Sequence, residues 1–174
     1  TPTASAAFLT GTVDEDGVGG GIAGGIGDVA GAATIASGSV SSLFNSGADA
    51  PLTYALSLTT VATLTALNLT SAGTALTYSV AGDIVTASAN GGAVFTFQLT
   101  AAGAWTFTLI DQLDHAQGAD ENDLLISLGG IVTATDADGD LVTAAAGGLV
   151  INVDDDTPTA SAAFLTGTVD EDGV

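Results

Sequence analysis

The 174-residue chain contains no lysine, no arginine and no cysteine. Its 20 acidic residues and single histidine give it a formal charge of −20 at pH 7. Because a chain without cations cannot neutralise phosphate groups, we predict that it binds no nucleic acid and no anionic membrane surface. No disulfide can stabilise the fold. The carboxylates must be solvated, hydrogen-bonded by backbone N–H groups or neutralised by a bound metal ion.

The groups that carry most enzyme chemistry are also missing. The chain has no cysteine or lysine nucleophile and no Gly-x-Ser-x-Gly segment that would activate a serine. A pair of carboxylates could hydrolyse a glycoside, but metal binding explains the clustering of the acidic residues better. His115 could ligate a metal or act as a base, although a single loop histidine more often has a structural role. We therefore predict that the chain is not an enzyme and has no small-molecule substrate.

A long charge-free run, residues 50–82, has the length of a membrane span but not its composition. Twelve of its 33 residues are Ser, Thr or Asn, and they are interspersed regularly with the apolar residues. We predict no membrane insertion.

The chain repeats itself. Residues 1–18 recur without a change as residues 157–174, an offset of 156 positions. A unit of that length is large enough to be a domain with its own core, so the sequence predicts a tandem array of near-identical domains. Residues 1–156 form one unit in this interpretation, residues 157–174 begin the next, and neighbouring identical repeats are the partners. The duplicated segment could supply a strand from either end, which leaves open a domain that is split across the junction.

Apolar and polar residues alternate with a period of two through most of the chain. Trp105, Phe107 and Leu109 point one way and their neighbours the other, which is typical of half-buried strands. Glycine-rich turns separate the alternating runs. We predict an all-β fold, an enlarged antiparallel immunoglobulin-like β-sandwich. The predicted strands cover residues 4–13, 32–40, 52–58, 61–69, 75–80, 83–88, 93–99, 104–110, 124–134, 140–144 and 147–153.

Most of the carboxylates fall into four clusters, and a few stand alone. Like charges about 4 Å apart repel by about 4 kcal/mol even at an effective dielectric constant near 20, so clusters of this kind favour a bound cation. Calcium takes roughly 6–8 oxygen ligands, and we predict that the chain binds several Ca²⁺ ions. The candidate ligands are Asp14, Glu15 and Asp16 with their copies Asp170 and Asp172; Asp136, Asp138 and Asp140; Asp154, Asp155 and Asp156 at the repeat junction; and Asp123 in an acidic loop.

The most specific cluster is the Asp-x-Asp-Gly-Asp segment that begins at Asp136. Alternate side chains there can converge on one ion, and Gly139 permits a tight turn. It resembles the start of an EF-hand loop, but the twelfth position is Gly147 rather than glutamate and no helices flank it. The segment predicts a calcium site in a loop between strands.

Several short motifs occur along the chain in a specific order: V-D-E-D-G at 13–17, F-T-F at 95–97, W-T-F-T-L at 105–109, L-D-H at 113–115, E-N-D at 121–123, T-D-A-D-G-D at 135–140 and V-D-D-D-T-P at 153–158. In this order they resemble the tandem extender repeats of large RTX adhesins. The resemblance implies a bacterial immunoglobulin-like unit, exported by type I secretion to the cell surface. It also implies a calcium-rigidified spacer that holds a distal adhesion domain away from the cell, in biofilm formation or surface attachment.

The alternative is a module of the same kind of protein that itself binds a glycan or another surface. Near-perfect repetition favours the spacer, because repetition supplies length. A binding module would instead carry an exposed aromatic cluster, whereas the aromatic residues here occupy alternating core positions. A glycan array in the presence of Ca²⁺ would separate the two functions.

Overall fold

A computed structural model describes residues 1–24, 31–117, 122–156 and 166–167 of the chain. Strands dominate these residues. They are β1 (Thr3–Ala4), β2 (Leu9–Asp14), β3 (Ile35–Ser39), β4 (Phe44–Asn45), β5 (Thr53–Leu56), β6 (Thr70–Ser71), β7 (Thr74–Ala75), β8 (Thr77–Ala81), β9 (Ile84–Ala89), β10 (Gly92–Leu99), β11 (Ala104–Leu109), β12 (Leu124–Ser127), β13 (Val132–Thr135), β14 (Leu141–Thr143) and β15 (Leu149–Asp154).

The strands form three main sheets. The largest is antiparallel with the order β3-β11-β10-β9-β8, and two three-stranded sheets have the orders β12-β15-β2 and β14-β13-β5. The short pairs β1-β4 and β6-β7 complete the arrangement. The prediction of an all-β sandwich is confirmed.

The core consists of the residues that the period-two pattern turns inward. Trp105, Phe107 and Leu109 on β11 are buried, as are Phe95 and Phe97 on the neighbouring β10. The rings of Phe95 and Phe107 stack with their centroids 5.0 Å apart. Each buried aromatic or aliphatic side chain of this size contributes about 1.5–3 kcal/mol by leaving water, so these side chains supply much of the stability of the core.

One predicted strand, 61–69, is wrong: its first half lies in α1 (Thr60–Thr65), the single α-helix of the described residues. Thr60 and Leu64 are both buried, and their separation of four residues places them on one helical face. Thr60 Oγ1 also donates a hydrogen bond to the Ser57 carbonyl at 2.7 Å, which ties the first turn to the preceding strand. Across the residues for which a structure is given, no helix is long and apolar enough to cross a bilayer.

The predicted strand 124–134 is interrupted. It consists of β12 and β13, joined by a short 3₁₀ turn at Gly129–Ile131. A side chain at Gly129 would lie 2.0 Å from the Ala145 carbonyl oxygen, so the chain can bend here only because this residue is glycine.

The first and last long strands of the unit run side by side in the same direction. β2 pairs with β15 in parallel, from Leu9 opposite Leu149 to Asp14 opposite Asp154. The chain therefore travels along both strands toward the same end of the sheet. Six residues of strand span about 17 Å at the usual rise of about 3.3 Å per residue. The N-terminal segment consequently enters at one end of this sheet, and the chain leaves β15 at the other.

We call these ends the entry pole and the exit pole. The entry pole carries the backbone around Thr1, Asp49 and residues 136–140. The exit pole carries Glu15 and residues 154–156. Backbone hydrogen bonds at the two ends of β3 are consistent with these two poles. Asp14 N–H donates to the Ala33 carbonyl at the exit end, and Val40 N–H donates to the Gly103 carbonyl at the other end of β3.

Candidate metal centres

The entry pole contains the Asp-x-Asp-Gly-Asp segment, folded as a tight turn between β13 and β14. The Asp140 N–H donates to Asp136 Oδ1 at 2.8 Å, and the Asp136 N–H donates to the Asp140 carbonyl at 3.1 Å. Gly139 adopts a φ of 96°, which lies in the region that glycine tolerates best. The turn thus draws the three aspartates together at one end of the sheet.

A fourth acid, Asp49, reaches the same place from a distant part of the chain. Its carbonyl accepts the Ala137 N–H at 3.2 Å, which holds the loop before β5 against the turn. One carboxylate oxygen from each of Asp49, Asp136 and Asp138 lies within 4.8 Å of the other two. Two oxygens bound to one Ca²⁺ at about 2.3–2.6 Å can be at most about 5 Å apart, so the spacing suits one calcium ion.

These carboxylates already make contact with the one cation nearby. The Thr1 ammonium nitrogen lies 3.4 Å from Asp49 Oδ2, 3.5 Å from Asp136 Oδ2 and 3.6 Å from Asp140 Oδ2. The Asp136 side chain is fully buried, and its Oδ2 faces the Thr1 ammonium without a well-formed hydrogen bond. A positive charge is therefore favoured at the centre of this cluster.

Two carboxyls of this cluster have pKa values that are shifted in opposite directions. A hydrogen bond from Asp138 lowers the pKa of the Asp136 carboxyl, and the same hydrogen bond raises the pKa of Asp138. The nearby charges of Asp136, Asp140 and Asp49 add to the rise for Asp138. Two carboxyls in competition for one proton are a pair that a divalent cation would stabilise.

The exit pole brings together Glu15, His115 and Asp155. Glu15 begins a short 3₁₀ turn (Glu15–Gly17) directly after β2, and Asp155 directly follows β15. His115 lies in the segment that follows β11. One ligand atom from each of the three lies within 4.8 Å of the others. The side chains of His115 and Glu15 are only 3% and 2% exposed.

Hydrogen bonds fix the orientation of both buried side chains. His115 Nδ1 lies 2.7 Å from the Asn122 carbonyl oxygen, and Nε2 lies 3.3 Å from Glu15 Oε1. Glu15 Oε1 also accepts the Leu113 N–H at 2.7 Å. Burial raises the pKa of the Glu15 carboxyl. Burial lowers the pKa of His115, but the hydrogen bonds with Glu15 and the Asn122 carbonyl and the charges of Glu15 and Asp155 together outweigh it, so that this pKa is raised.

The other predicted ligands of the first cluster bind backbone groups. Asp14 is buried; its Oδ1 accepts the Asp16 N–H at 2.8 Å and its Oδ2 the Ala32 N–H at 3.0 Å. Asp16 Oδ2 accepts the Gly24 N–H at 3.2 Å. Asp14 and Asp16 thus fasten the glycine-rich segment after β2 to the exit pole.

The junction acids belong largely to the folded unit. Asp154 is buried at the end of β15, opposite Asp14 on β2. Asp156 accepts the Ile22 N–H at 3.0 Å and the Gln112 side-chain amide at 2.9 Å. Hydrogen bonds therefore tie the chain to the folded unit as far as residue 156, and Asp14 and Asp154 occupy matching positions at the ends of neighbouring strands.

The remaining predicted ligands are Asp123, Asp170 and Asp172. Asp123 is exposed and accepts a hydrogen bond from the Asn152 side chain at 2.6 Å, and it belongs to neither cluster found in the described ranges. Asp170 and Asp172 lie outside the described residues.

Sequence reasoning missed Asp49, and it gave His115 no partner. Asp49 stands alone between small residues, so no spacing pattern links it to residues 136–140, which lie about ninety positions away. Glu15 and His115 are separated by 100 positions. The sequence shows only that other acids lie near Glu15 and near His115, which is too general a feature to predict that these two side chains meet.

Residues 11–147 match the family model described as Domain of unknown function (DUF5801). The chain belongs to this family. The matched region contains the acids of the entry pole together with Glu15 and His115, and it ends before β15. Neither the curated proteins nor the solved structures yielded a match.

Proposed function

We propose that the chain is a calcium-stiffened spacer unit of a tandem-repeat adhesin on a bacterial surface, exported by type I secretion. Its role would be to hold a distal adhesion domain away from the cell. The resemblance of its motifs to RTX extender repeats and the duplication of residues 1–18 at 157–174 both favour this function.

The observation that carries the proposal is the parallel pairing of β2 with β15. A spacer must pass the chain from one end of each unit to the other, because a unit with both ends at one pole would fold the array back on itself. The parallel pair supports passage from the entry pole to the exit pole. Successive units would then stack end to end, and each would add its full length to the array.

Calcium would act where two units meet. Thr157 follows Asp156 in the sequence and corresponds to Thr1, so the exit pole of one unit would be joined directly to the entry pole of the next. At that junction a neutral peptide nitrogen would replace the Thr1 ammonium, and the Asp156 of the preceding unit would come close to Asp49 and Asp136. The acidic poles would repel each other unless a cation lay between them.

Small-angle X-ray scattering of a protein with two copies of residues 1–156 in tandem tests this function. We expect a larger maximum dimension with Ca²⁺ than in buffer free of divalent ions, because the ion converts a repulsive hinge into a rigid joint. Asp138→Asn in the second unit, at the junction, should abolish the difference.

The same substitution in the first unit is the matched control, since it changes the composition and charge equally but lies at a pole that faces no preceding unit. The control should stay extended in Ca²⁺. Equal compaction of both variants, or a maximum dimension that does not respond to Ca²⁺, would contradict the proposal.

A further inference from the structure

The exit pole contains an arrangement that calcium does not explain. Glu15, His115 and Asp155 converge there, and the group includes the only imidazole of the chain. Ca²⁺ is bound by carboxylates, carbonyls and water, whereas imidazole nitrogen is typical of zinc, copper, nickel and iron sites.

The hydrogen bonds determine which ring nitrogen of His115 is available. The Asn122 carbonyl oxygen can only accept a hydrogen bond, so Nδ1, at 2.7 Å from it, carries the proton. In the neutral ring Nε2 is then an acceptor, and it faces Glu15 Oε1 at 3.3 Å. Two buried acceptors this close to each other need either a proton or a metal ion between them.

The distance also suits a particular class of ion. In a tetrahedral site with bonds of about 2.0–2.1 Å, neighbouring ligand atoms are separated by about 3.3 Å. The separation of Nε2 and Oε1 has this value. Asp155 is half-buried at the edge of the group, so it can supply a third ligand while water occupies the fourth position.

Both buried ligands are oriented by a second group, as metal ligands usually are. The Asn122 carbonyl holds the His115 ring through Nδ1, and the Leu113 N–H holds Glu15 Oε1 at 2.7 Å. An outer-shell partner of this kind fixes the tautomer and increases the affinity for the ion.

From this geometry we propose that Glu15, His115 and Asp155 form a binding site for a first-row transition-metal dication, of which Zn²⁺ is the test case. The site is separate from the calcium cluster at the entry pole and does not depend on the spacer function. Bound there, the ion would join the turn after β2, the segment after β11 and the chain that leaves β15.

The single histidine makes the test direct, because only one imidazole contributes to the spectrum. Two-bond ¹H–¹⁵N correlation spectra of the 174-residue chain, saturated with Ca²⁺, should change on addition of Zn²⁺. We expect the Nε2 resonance to shift and saturate at one equivalent while Nδ1 stays protonated. Mg²⁺ should leave the spectrum unchanged.

Substitutions then assign the ligands by isothermal titration with Zn²⁺ in the presence of Ca²⁺. His115→Gln should weaken Zn²⁺ binding by more than the roughly 10–100-fold that the loss of an outer-shell partner costs. Asp155→Asn, at the half-buried edge of the site, should weaken it at least about tenfold even if His115→Gln proves too unstable to measure. Asp111→Asn, which removes a charge outside both clusters, should bind Zn²⁺ as the parent does.

Two results would overturn the proposal. A protonated Nε2 that Zn²⁺ does not disturb would make the group an internal ion pair between an imidazolium and two carboxylates. Displacement of Zn²⁺ by millimolar Ca²⁺ would show that the site has no preference for a transition metal. Neither result would affect the scattering experiment on tandem units, in which the Asp138→Asn substitutions change only the entry pole.

Discussion

Removal of Ca²⁺ from the 174-residue chain is expected to lower its melting temperature by at least about 8 °C. One site that binds only the folded protein contributes about 4.1 kcal/mol when Ca²⁺ is present at 1,000 times its dissociation constant. In a domain of about 150–250 residues, each kcal/mol shifts the melting temperature by about 2–4 °C. The fall should be larger if several ions bind, as the acidic clusters predict.

Thermal melts in buffer stripped of divalent ions, and then supplied with Ca²⁺ or Mg²⁺, measure this effect. Mg²⁺ should rescue poorly, because it requires a smaller octahedral site and gives up its waters reluctantly. A chelator is best avoided, since it would also remove an ion from the exit pole. A metal-free protein that melts within about 3 °C of the calcium form would remove the basis for calcium binding.

The Asp138→Asn substitution is expected to change stability in opposite directions with and without Ca²⁺. With the ion, the variant loses a charged ligand, so its melting temperature should fall below that of the parent. Without the ion, it loses one member of a group of like charges that includes Asp49, Asp136 and Asp140. Its melting temperature in metal-free buffer should therefore rise above that of the parent.

Asp111→Asn provides the comparison for this prediction. It also removes one of the 20 negative charges, but Asp111 is exposed and lies outside both clusters. Because Asp111→Asn only lowers the net negative charge, it should raise the melting temperature slightly and by the same amount in both buffers. If Asp138→Asn behaved in the same way, the acids at the entry pole would be solvated surface charges rather than a metal site.

The alternation of residues predicts much of the fold because each buried strand face leaves a local trace in the sequence. Phe95, Phe97, Trp105 and Phe107 are buried where the pattern places them. The pattern is weaker in a short element such as α1, where only Thr60 and Leu64 reveal the helical spacing. A period-two pattern is the same for parallel and antiparallel strands, so the parallel pairing of β2 with β15 could not be inferred from it.

The candidate sites are predictable only where their members are close in sequence. The spacing of Asp136, Asp138 and Asp140 indicates a turn, and the turn brings these side chains together. Asp49 joins them through a tertiary contact between its carbonyl and Ala137, which leaves no mark on the local sequence. The meeting of Glu15 with His115 likewise depends on the fold.

Calcium should fix successive units in line, and the distance between two units measures this most directly. The chain has no cysteine, so Leu58→Cys, at a fully exposed position, can carry one spin label in each unit of a tandem protein. Double electron–electron resonance should give one narrow distance distribution with Ca²⁺ and a broad one without it. With Asp138→Asn in the second unit, the distribution should be broad in both conditions. A distribution that stays broad for the parent protein in saturating Ca²⁺ would contradict the account.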